Sequence, residues 1–259
     1  MRTICTKMRI VGDKMSITKR QEQIIELLNE NNFMSVERLS ELTYTSPSSI
    51  RRDLQALENQ SLVKRTHGGA TVFDGINHAV PLVSRMERNI AEKRQIAKKA
   101  AAFLRDGQSI MLDGSSTAGF LVPHIAKHKD IILFTNNMLT AINAINYGIV
   151  THCIGGASVN GSAVLSGTQA YRMISEINTD ILFFSSQSIG RDGYISDPIP
   201  EENYVRQLML ERAKTTVFLC DSEKFGSESL YRLTSVDNID ACVFDKPFLE
   251  LRTKCRIIV

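Results

Sequence analysis

No apolar run in this sequence approaches the roughly 18 residues that a bilayer span requires, so no membrane partner is expected. Residues 1–15 carry basic side chains but no continuous apolar core, which argues against a signal peptide. The cysteines Cys5, Cys153, Cys220, Cys242 and Cys255 never stand as C-x-x-C, and their odd number argues against a disulfide framework. Three of them sit in apolar strand-like runs, so reduced, buried, structural thiols in a cytoplasmic protein are expected. The stretch Gly114-Ser115-Ser116-Thr117-Ala118-Gly119 lacks the lysine that a Walker A loop places after its second glycine. No G-x-G-x-x-G follows a strand pattern either, so no nucleotide cofactor is expected. An excess of one charge is missing too: 31 basic and 28 acidic residues leave a net +3, so any contact with nucleic acid must be local. His124 and His128 are four apart, but no third ligand accompanies them and Pro123 disturbs the spacing, so no metal is expected.

What is present begins with residues 46–70, SPSSIRRDLQALENQSLVKRTHGGA. Ser46 suits an N-cap and Pro47 the first helical position. Ile50, Leu54 and Leu57 recur at helical spacing and form one apolar stripe. The opposite face carries Ser48, Arg52, Gln55 and Asn59, flanked by Ser49 and Arg51. Small hydroxyls allow close approach to a major groove, and arginine can hold a guanine edge or a phosphate with two hydrogen bonds. Leu62-Val63 then precede Lys64, Arg65 and His67, a basic hairpin or wing. Taken alone, the arginine pair fits a solvated amphipathic helix equally well.

The preceding segment decides between the two. Residues 18–31 put Ile24, Ile25, Leu27 and Leu28 on one side of a helix. Val36, Leu39 and Leu42 mark a shorter helix capped by Ser35, and Tyr44-Thr45 form a tight turn. Helix, short helix, turn, helix and wing describe a winged helix-turn-helix. Its charge is polarised: Glu22, Glu26, Glu30, Glu37 and Glu41 lie on the first two helices, and Arg51, Arg52, Lys64 and Arg65 on the third helix and wing. Operator DNA is the partner this implies. The run S-x-S-S-I-R-R-D-L-x-x-L-E followed by V-K-R-x-H-G-G-A resembles the DNA-binding domain of the DeoR family of bacterial transcriptional regulators, with Ser49 where that family usually has threonine.

The length of 259 residues accommodates a second, larger domain. We expect a disordered tail over 1–16, the winged helix-turn-helix over 17–71, a linker over 72–88 and an α/β sensor and oligomerisation domain over 89–259. Arg85 through Ala100 repeats the family's R-x-x-x-N-x-x-E-K-x-x-I-A-x-x-A pattern on an amphipathic helix. Its basic residues Lys93, Arg94, Lys98 and Lys99 read as a solvated face, the alternative being contact with flanking DNA. Beyond Gly107 apolar runs at 109–112, 131–134, 149–154, 181–184, 216–220, 241–244 and 256–259 alternate with helical patterns at 120–126 and 138–145, as in a mostly parallel α/β sheet.

Small polar residues follow many of these runs: Asp113 to Thr117, Thr135-Asn136, Gly155-Gly156, Ser185 to Ser188 and Asp221 to Gly226. Loops at the carboxyl ends of parallel strands form the ligand crevice of an open sheet, and hydroxyl and glycine residues there admit an anion. The same loops resemble the DeoR sensor domain, whose D-G-G-T-T, T-N, G-G and D-S-S-K-F-G motifs bind sugar phosphates on a ribose-5-phosphate isomerase-like fold. That resemblance implies effector contacts at Asp113, Gly114, Ser115, Ser116, Thr117, Thr135, Asn136, Gly155, Gly156 and Lys224. Two departures stand out. Where the family shows G-A-D-G-I-D, this chain has Ser185-Ser186-Gln187-Ser188-Ile189-Gly190, and its E-x-x-x-K reads Glu202 to Arg206. Gln187 and Glu202 remain candidate contacts, but an isomerase needs a positioned base. A non-enzymatic repressor of carbohydrate genes, homo-oligomeric (dimer or tetramer) and released from DNA by a phosphorylated sugar, is therefore expected. The alternative is an isomerase-like enzyme with a DNA-binding appendage.

Overall fold

The computed structural model describes residues 18–31, 33–59, 62–66, 68–72 and 82–259. The expected tail at 1–16 and His67 lie outside them. The chain divides into two compact units between Asp74 and Gly75. No helix among the described residues is long and apolar enough to cross a membrane.

The first unit contains α1 (Lys19–Asn31), β1 (Phe33–Ser35), α2 (Val36–Leu42), α3 (Pro47–Asn59), β2 (Val63–Thr66) and β3 (Gly69–Val72). The apolar stripes converge: Ile24, Ile25 and Leu28 pack with Leu39, Ile50, Leu54, Leu57, Val63 and Ala70 in one core. Burying such side chains contributes about 1.5–3 kcal/mol each. The Ser35 hydroxyl caps α2 by accepting the Arg38 N–H at 3.1 Å. Tyr44 makes the turn before α3 with φ +51°. Asp53, on the buried side of α3, accepts from Arg20 Nε at 2.6 Å and so fixes α3 against α1.

Strand β1, too short to read from periodicity, turns the wing into a three-stranded sheet ordered β1-β3-β2. This pairing explains the double glycine of the wing. Gly68 sits at φ +81°, a left-handed conformation that glycine adopts freely. A Cβ on Gly69 would lie 2.3 Å from the Met34 carbonyl oxygen and 2.8 Å from the Phe33 ring.

The second unit opens with α4 (Leu82–Glu87) and α5 (Ile90–Ala100), followed by β4 (Ser109–Leu112), α6 (Ser116–Gly119), α7 (Val122–Ile125), β5 (Ile132–Thr135), α8 (Met138–Asn146) and β6 (Val150–Cys153). Next come β7 (Ala157–Ser158), β8 (Leu165–Ser166), α9 (Thr168–Ser175), β9 (Thr179–Phe184), β10 (Ser188–Ile189) and β11 (Tyr194–Asp197). The last elements are α10 (Pro200–Arg212), β12 (Ala213–Cys220), β13 (Tyr231–Ser235), β14 (Ala241–Phe244) and β15 (Arg256–Ile258). Seven strands form one sheet ordered β15-β14-β12-β9-β4-β5-β6, parallel at every pairing.

Both faces of that sheet are covered, which is why its central strands read as unbroken apolar runs. Ile110, Leu112, Ile181, Phe183, Val217 and Leu219 belong to one core, whereas Met111, Leu182, Phe184, Phe218 and Cys220 belong to the other. The chain lays β4, β5 and β6 outward in one direction, then returns to place β9 on the other side of β4. The strand order therefore reverses between β4 and β9, where an open α/β sheet leaves a crevice at its carboxyl edge.

Several expectations need correction. The stretch 82–88, assigned to the linker, contains helix α4 and belongs to this unit. The helical pattern at 120–126 shortens to α7 (Val122–Ile125), with Pro123 in its first turn, where its missing N–H costs nothing. The hairpin β7-β8, the antiparallel sheet β10-β11-β13 and helix α9 went unread. Of the thiols, Cys220 and Cys242 are buried, but Cys153 is exposed and Cys255 half-buried; Cys5 lies outside the described residues. His128 contacts Asp106 at 3.0 Å.

Gly69→Ala is expected to destabilise the first unit by about 1–3 kcal/mol through overpacking. The measurement is urea unfolding of the full chain followed by helical circular dichroism, and an unchanged profile would contradict the close approach of β1 to β3.

Candidate functional site

The first candidate surface is the outer side of α3 with the wing. Ser48, Arg51, Arg52, Gln55, Lys64 and Arg65 are exposed and Ser49 is half-buried, as a DNA-facing surface requires. The face is also internally braced. Arg52 donates to the Ser49 hydroxyl at 3.3 Å, and Arg51 lies 3.7 Å from Glu37. The Arg65 backbone N–H donates to Glu58 at 3.0 Å, while its guanidinium donates to the Gln55 side-chain oxygen. Glu58, which sequence reasoning missed, thus docks the wing on α3 together with Gln55.

The second candidate is a cleft of about 180 Å³ at the reversal point of the large sheet. It gathers the loops after β4, β9 and β12 with the residues from Arg85 to Lys93. Of the anticipated effector contacts, Ser115, Ser116, Thr117, Gln187 and Lys224 line it. Sequence reasoning missed Arg85, Arg88, Asn89 and Lys93, although the R-x-x-x-N-x-x-E-K pattern marks three of them. The cleft holds four cations, Arg85, Arg88, Lys93 and Lys224, against two carboxylates, Asp221 and Glu223.

Lys224 spans the mouth, donating to the Ser185 hydroxyl at 3.1 Å and lying 3.2 Å from Asp221. Asn89 donates to Asp221 at 3.0 Å and to Glu223 at 2.6 Å. Burial pushes the Asp221 carboxyl up, but Lys224, Lys93 and Asn89 outweigh it and hold the group below its usual range. Thr117 Oγ1 is buried with no hydrogen-bond partner among the described residues, which leaves a polar atom at the cleft wall to be satisfied.

Lys93 is not part of a solvated face. It is buried, donating to the Arg88 carbonyl at 2.7 Å and to the Arg85 carbonyl, so it pins the segment between α4 and α5. Burial, with Lys224 and Arg85 nearby, lowers its pKa to about 8 despite the opposing pull of Asp221 and Glu223. Lys99 is also turned inward, to the Phe244 carbonyl at 3.0 Å. Arg94 and Lys98 remain exposed.

The other anticipated effector residues lie elsewhere. Asp113 and Glu202 are buried behind the cleft as partners of Arg206, whose Nε, Nη1 and Nη2 meet Asp113 at 2.8 Å, Asp197 at 3.1 Å and Glu202 at 2.7 Å. Burial alone would lower the Arg206 pKa, but the three carboxylates raise it overall. Gly114 packs against Val164, which a Cβ would meet at 2.6 Å. Thr135 ends β5 and Asn136 follows it, away from the reversal point. Thr135 Oγ1 accepts the Asn137 N–H at 3.2 Å, and the Asn136 amide donates to the Leu165 carbonyl at 2.9 Å. Gly156 fits against the Ser166 carbonyl, 2.3 Å from where its Cβ would stand, and Gly155 precedes it. Asn136 and Gly156 brace the β7-β8 hairpin, and none of the four lines the cleft.

A braced basic reading head and a positively charged crevice on a separate α/β unit define a DNA-binding regulator with a sensor domain. The comparisons agree on the class. A DeoR-like helix-turn-helix domain matches residues 20–75, and a DeoR C terminal sensor domain matches residues 88–246. The chain belongs to the DeoR family of transcriptional regulators, and it is a regulator, not an enzyme.

It is 33% identical to the HTH-type transcriptional regulator GolR of Listeria innocua, over 88% of this chain and 90% of that protein. It is 31% identical to a putative aga operon transcriptional repressor of Escherichia coli O157:H7, over 88% and 86%. With the glycerol-3-phosphate regulon repressor of Escherichia coli K12 it shares 27% identity over 90% and 92%. Among solved structures, ribose 5-phosphate isomerase A of Methanocaldococcus jannaschii is similar, with a TM-score of 0.40 and 17% identity over 53% of this chain and 55% of that one.

The depressed Lys93 pKa fixes a pH dependence. Because its folded value, about 8, lies below the unfolded one of 10.5, the lysine's contribution to stability rises from pH 8 to 10.5 and is lost below pH 8. An anion bound in the cleft would favour charged Lys93, so its binding above pH 8 would take up a proton. Titration calorimetry with a simple phosphate monoester is expected to give a level affinity from about pH 7, above the ester's own second pKa of about 6, to pH 8, falling by up to about tenfold per pH unit above that. An affinity constant from pH 7 to 9.5 would contradict this role.

Proposed function

We propose that this DeoR-family regulator represses carbohydrate-metabolism genes in the cytoplasm and that a phosphorylated sugar in the cleft relieves its binding to operator DNA. The observation that carries the reading is the cleft itself: four cations against two carboxylates, with Ser115, Ser116 and Thr117 hydroxyls, at the reversal point of a parallel sheet. A phosphate takes the cations and the sugar takes the hydroxyls and amides. A volume of about 180 Å³ suits a small metabolite better than a nucleotide. The named function of the similar Escherichia coli glycerol-3-phosphate regulon repressor supports a regulon of this chemistry.

In this reading Lys224, Lys93, Arg85 and Arg88 hold the phosphate, while Ser115, Ser116, Thr117, Asn89 and Gln187 hold the remainder. Asp113 and Glu202 act as positioning residues through Arg206. Arg51, Arg52, Gln55 and the small Ser48 and Ser49 face the major groove, and Lys64, Arg65 and His67 meet the backbone. A homo-oligomer presents two such heads to operator half-sites about one helical turn, or a multiple of one, apart. The effector regulates only if it binds the arrangement with weak DNA affinity better than the other.

Gel-shift titration with operator DNA and a panel of sugar phosphates tests the reading. At least one sugar phosphate is expected to release wild-type protein, and Lys224→Ala should bind operator as before but ignore that compound. Indifference of the wild type to the whole panel would refute the effector assignment. On the DNA side, Arg52→Ala is expected to cost about 1–3 kcal/mol and relax base preference, whereas Lys64→Ala should weaken all sequences alike. Full affinity and selectivity in the Arg52 variant would contradict the docking of α3.

A further inference from the structure

We propose that the outer face of α8, continued by the free edge of β6, is the surface on which a second copy of this chain docks. This rests on the oligomeric repressor proposed above and names its contact surface. From residue 131 through residue 171 the sequence contains no Lys, Arg, Asp or Glu, in a chain that is 23% charged. That stretch folds as β5, α8, β6, the β7-β8 hairpin and the start of α9.

Helix α8 is inverted relative to an ordinary surface helix. It buries the small Thr140, Ala141 and Ala144, and turns Met138, Leu139, Ile142 and Ile145 outward. Ile142 is 54% exposed and Ile145 60%. Packed beside α8, β6 ends the sheet with Val150 62% exposed. It has neither the lysine nor the proline with which edge strands commonly block further pairing. A groove of about 700 Å³ runs between α8 and the Phe120 and Pro123 side chains, and its only ionisable lining residues are Arg94 and His124.

The missing charge identifies the occupant. In a two-fold contact, residues near the axis face their own copies, so any charge there meets a like charge. A surface without charge meets itself with no such repulsion. The same symmetry brings two β6 edges together antiparallel, each supplying both donors and acceptors. Asn143 and Asn146, exposed on α8, carry amides that donate and accept, and so can pair with their own copies. A nucleic acid or an anionic lipid surface would need a cluster of cations here.

Sedimentation velocity of the full chain at tens of micromolar tests the proposal on the wild type, on Ile142→Glu/Ile145→Glu and on the milder Ile145→Asn. The wild type is expected to sediment as a dimer or larger. Both variants should shift to a smaller species at equal concentration, with the helical spectrum and the thermal shift by a sugar phosphate retained. A monomeric wild type, or folded variants of undiminished mass, would overturn the proposal. Operator release is read separately by gel shift, so a wild type that responds to sugar phosphate but is monomeric would sink this surface and leave the effector reading standing.

Discussion

The sensor unit is built over one buried cation. Arg206 lies beneath the reversal point of the sheet and gives each of three guanidinium nitrogens to a different carboxylate, on the loop after β4, at the end of β11 and one turn back along α10. Removing Arg206 would leave three buried carboxylates without their shared cation, and breaking a buried pair in this way costs about 3–5 kcal/mol or more. This arrangement explains why arginine stands where the family pattern has lysine: a planar fork can serve three carboxylates in separate directions, and an ammonium cannot do so with the same geometry. It also turns Asp113 and Glu202 toward Arg206, so that cations outnumber carboxylates four to two on the cleft wall.

The cleft gains its sign from that sequestration. Three of its four walls are the loops at the carboxyl ends of β4, β9 and β12, around the place where parallel topology opens a crevice. The fourth comes from the segment between α4 and α5, which Lys93 holds through two backbone carbonyls. A buried lysine with a pKa near 8 is charged at neutral pH at a cost, and an anion beside it lowers that cost. Under the proposed function, ligand affinity and the order of this segment are therefore coupled, and the segment is the first part of the sensor unit after the DNA-binding one in chain order.

Most of the fold was legible because its central elements obey a single period. The apolar stripes of α1, α2 and α3 and the doubly buried runs of β4, β9, β12 and β14 carry their burial pattern openly. Strand β1, the β7-β8 hairpin and the β10-β11-β13 sheet were not legible, since two to five residues paired at long range show no periodicity of their own. The site was legible in part for a geometric reason. Small polar loops after strands mark the carboxyl edge of a sheet, but they do not say between which strands the order reverses. Ser115, Ser116, Thr117, Gln187 and Lys224 line the cleft at the reversal, whereas Thr135, Asn136, Gly155 and Gly156 stand at or just beyond the ends of β5 and β6, which lead away from it. Lys93 was misread because a basic residue on an amphipathic helix looks solvated until its burial is known.

If the cleft and the α3 reading head belong to one switch, their ligands must oppose each other reciprocally, because coupling free energy is shared by both binding equilibria. The most direct measurement is calorimetric titration of a releasing sugar phosphate into the full chain, free and saturated with operator DNA. The sugar phosphate should bind the DNA complex more weakly, by the same factor by which it weakens operator binding. Equal affinity for the free and DNA-bound protein would contradict the coupling of cleft to reading head.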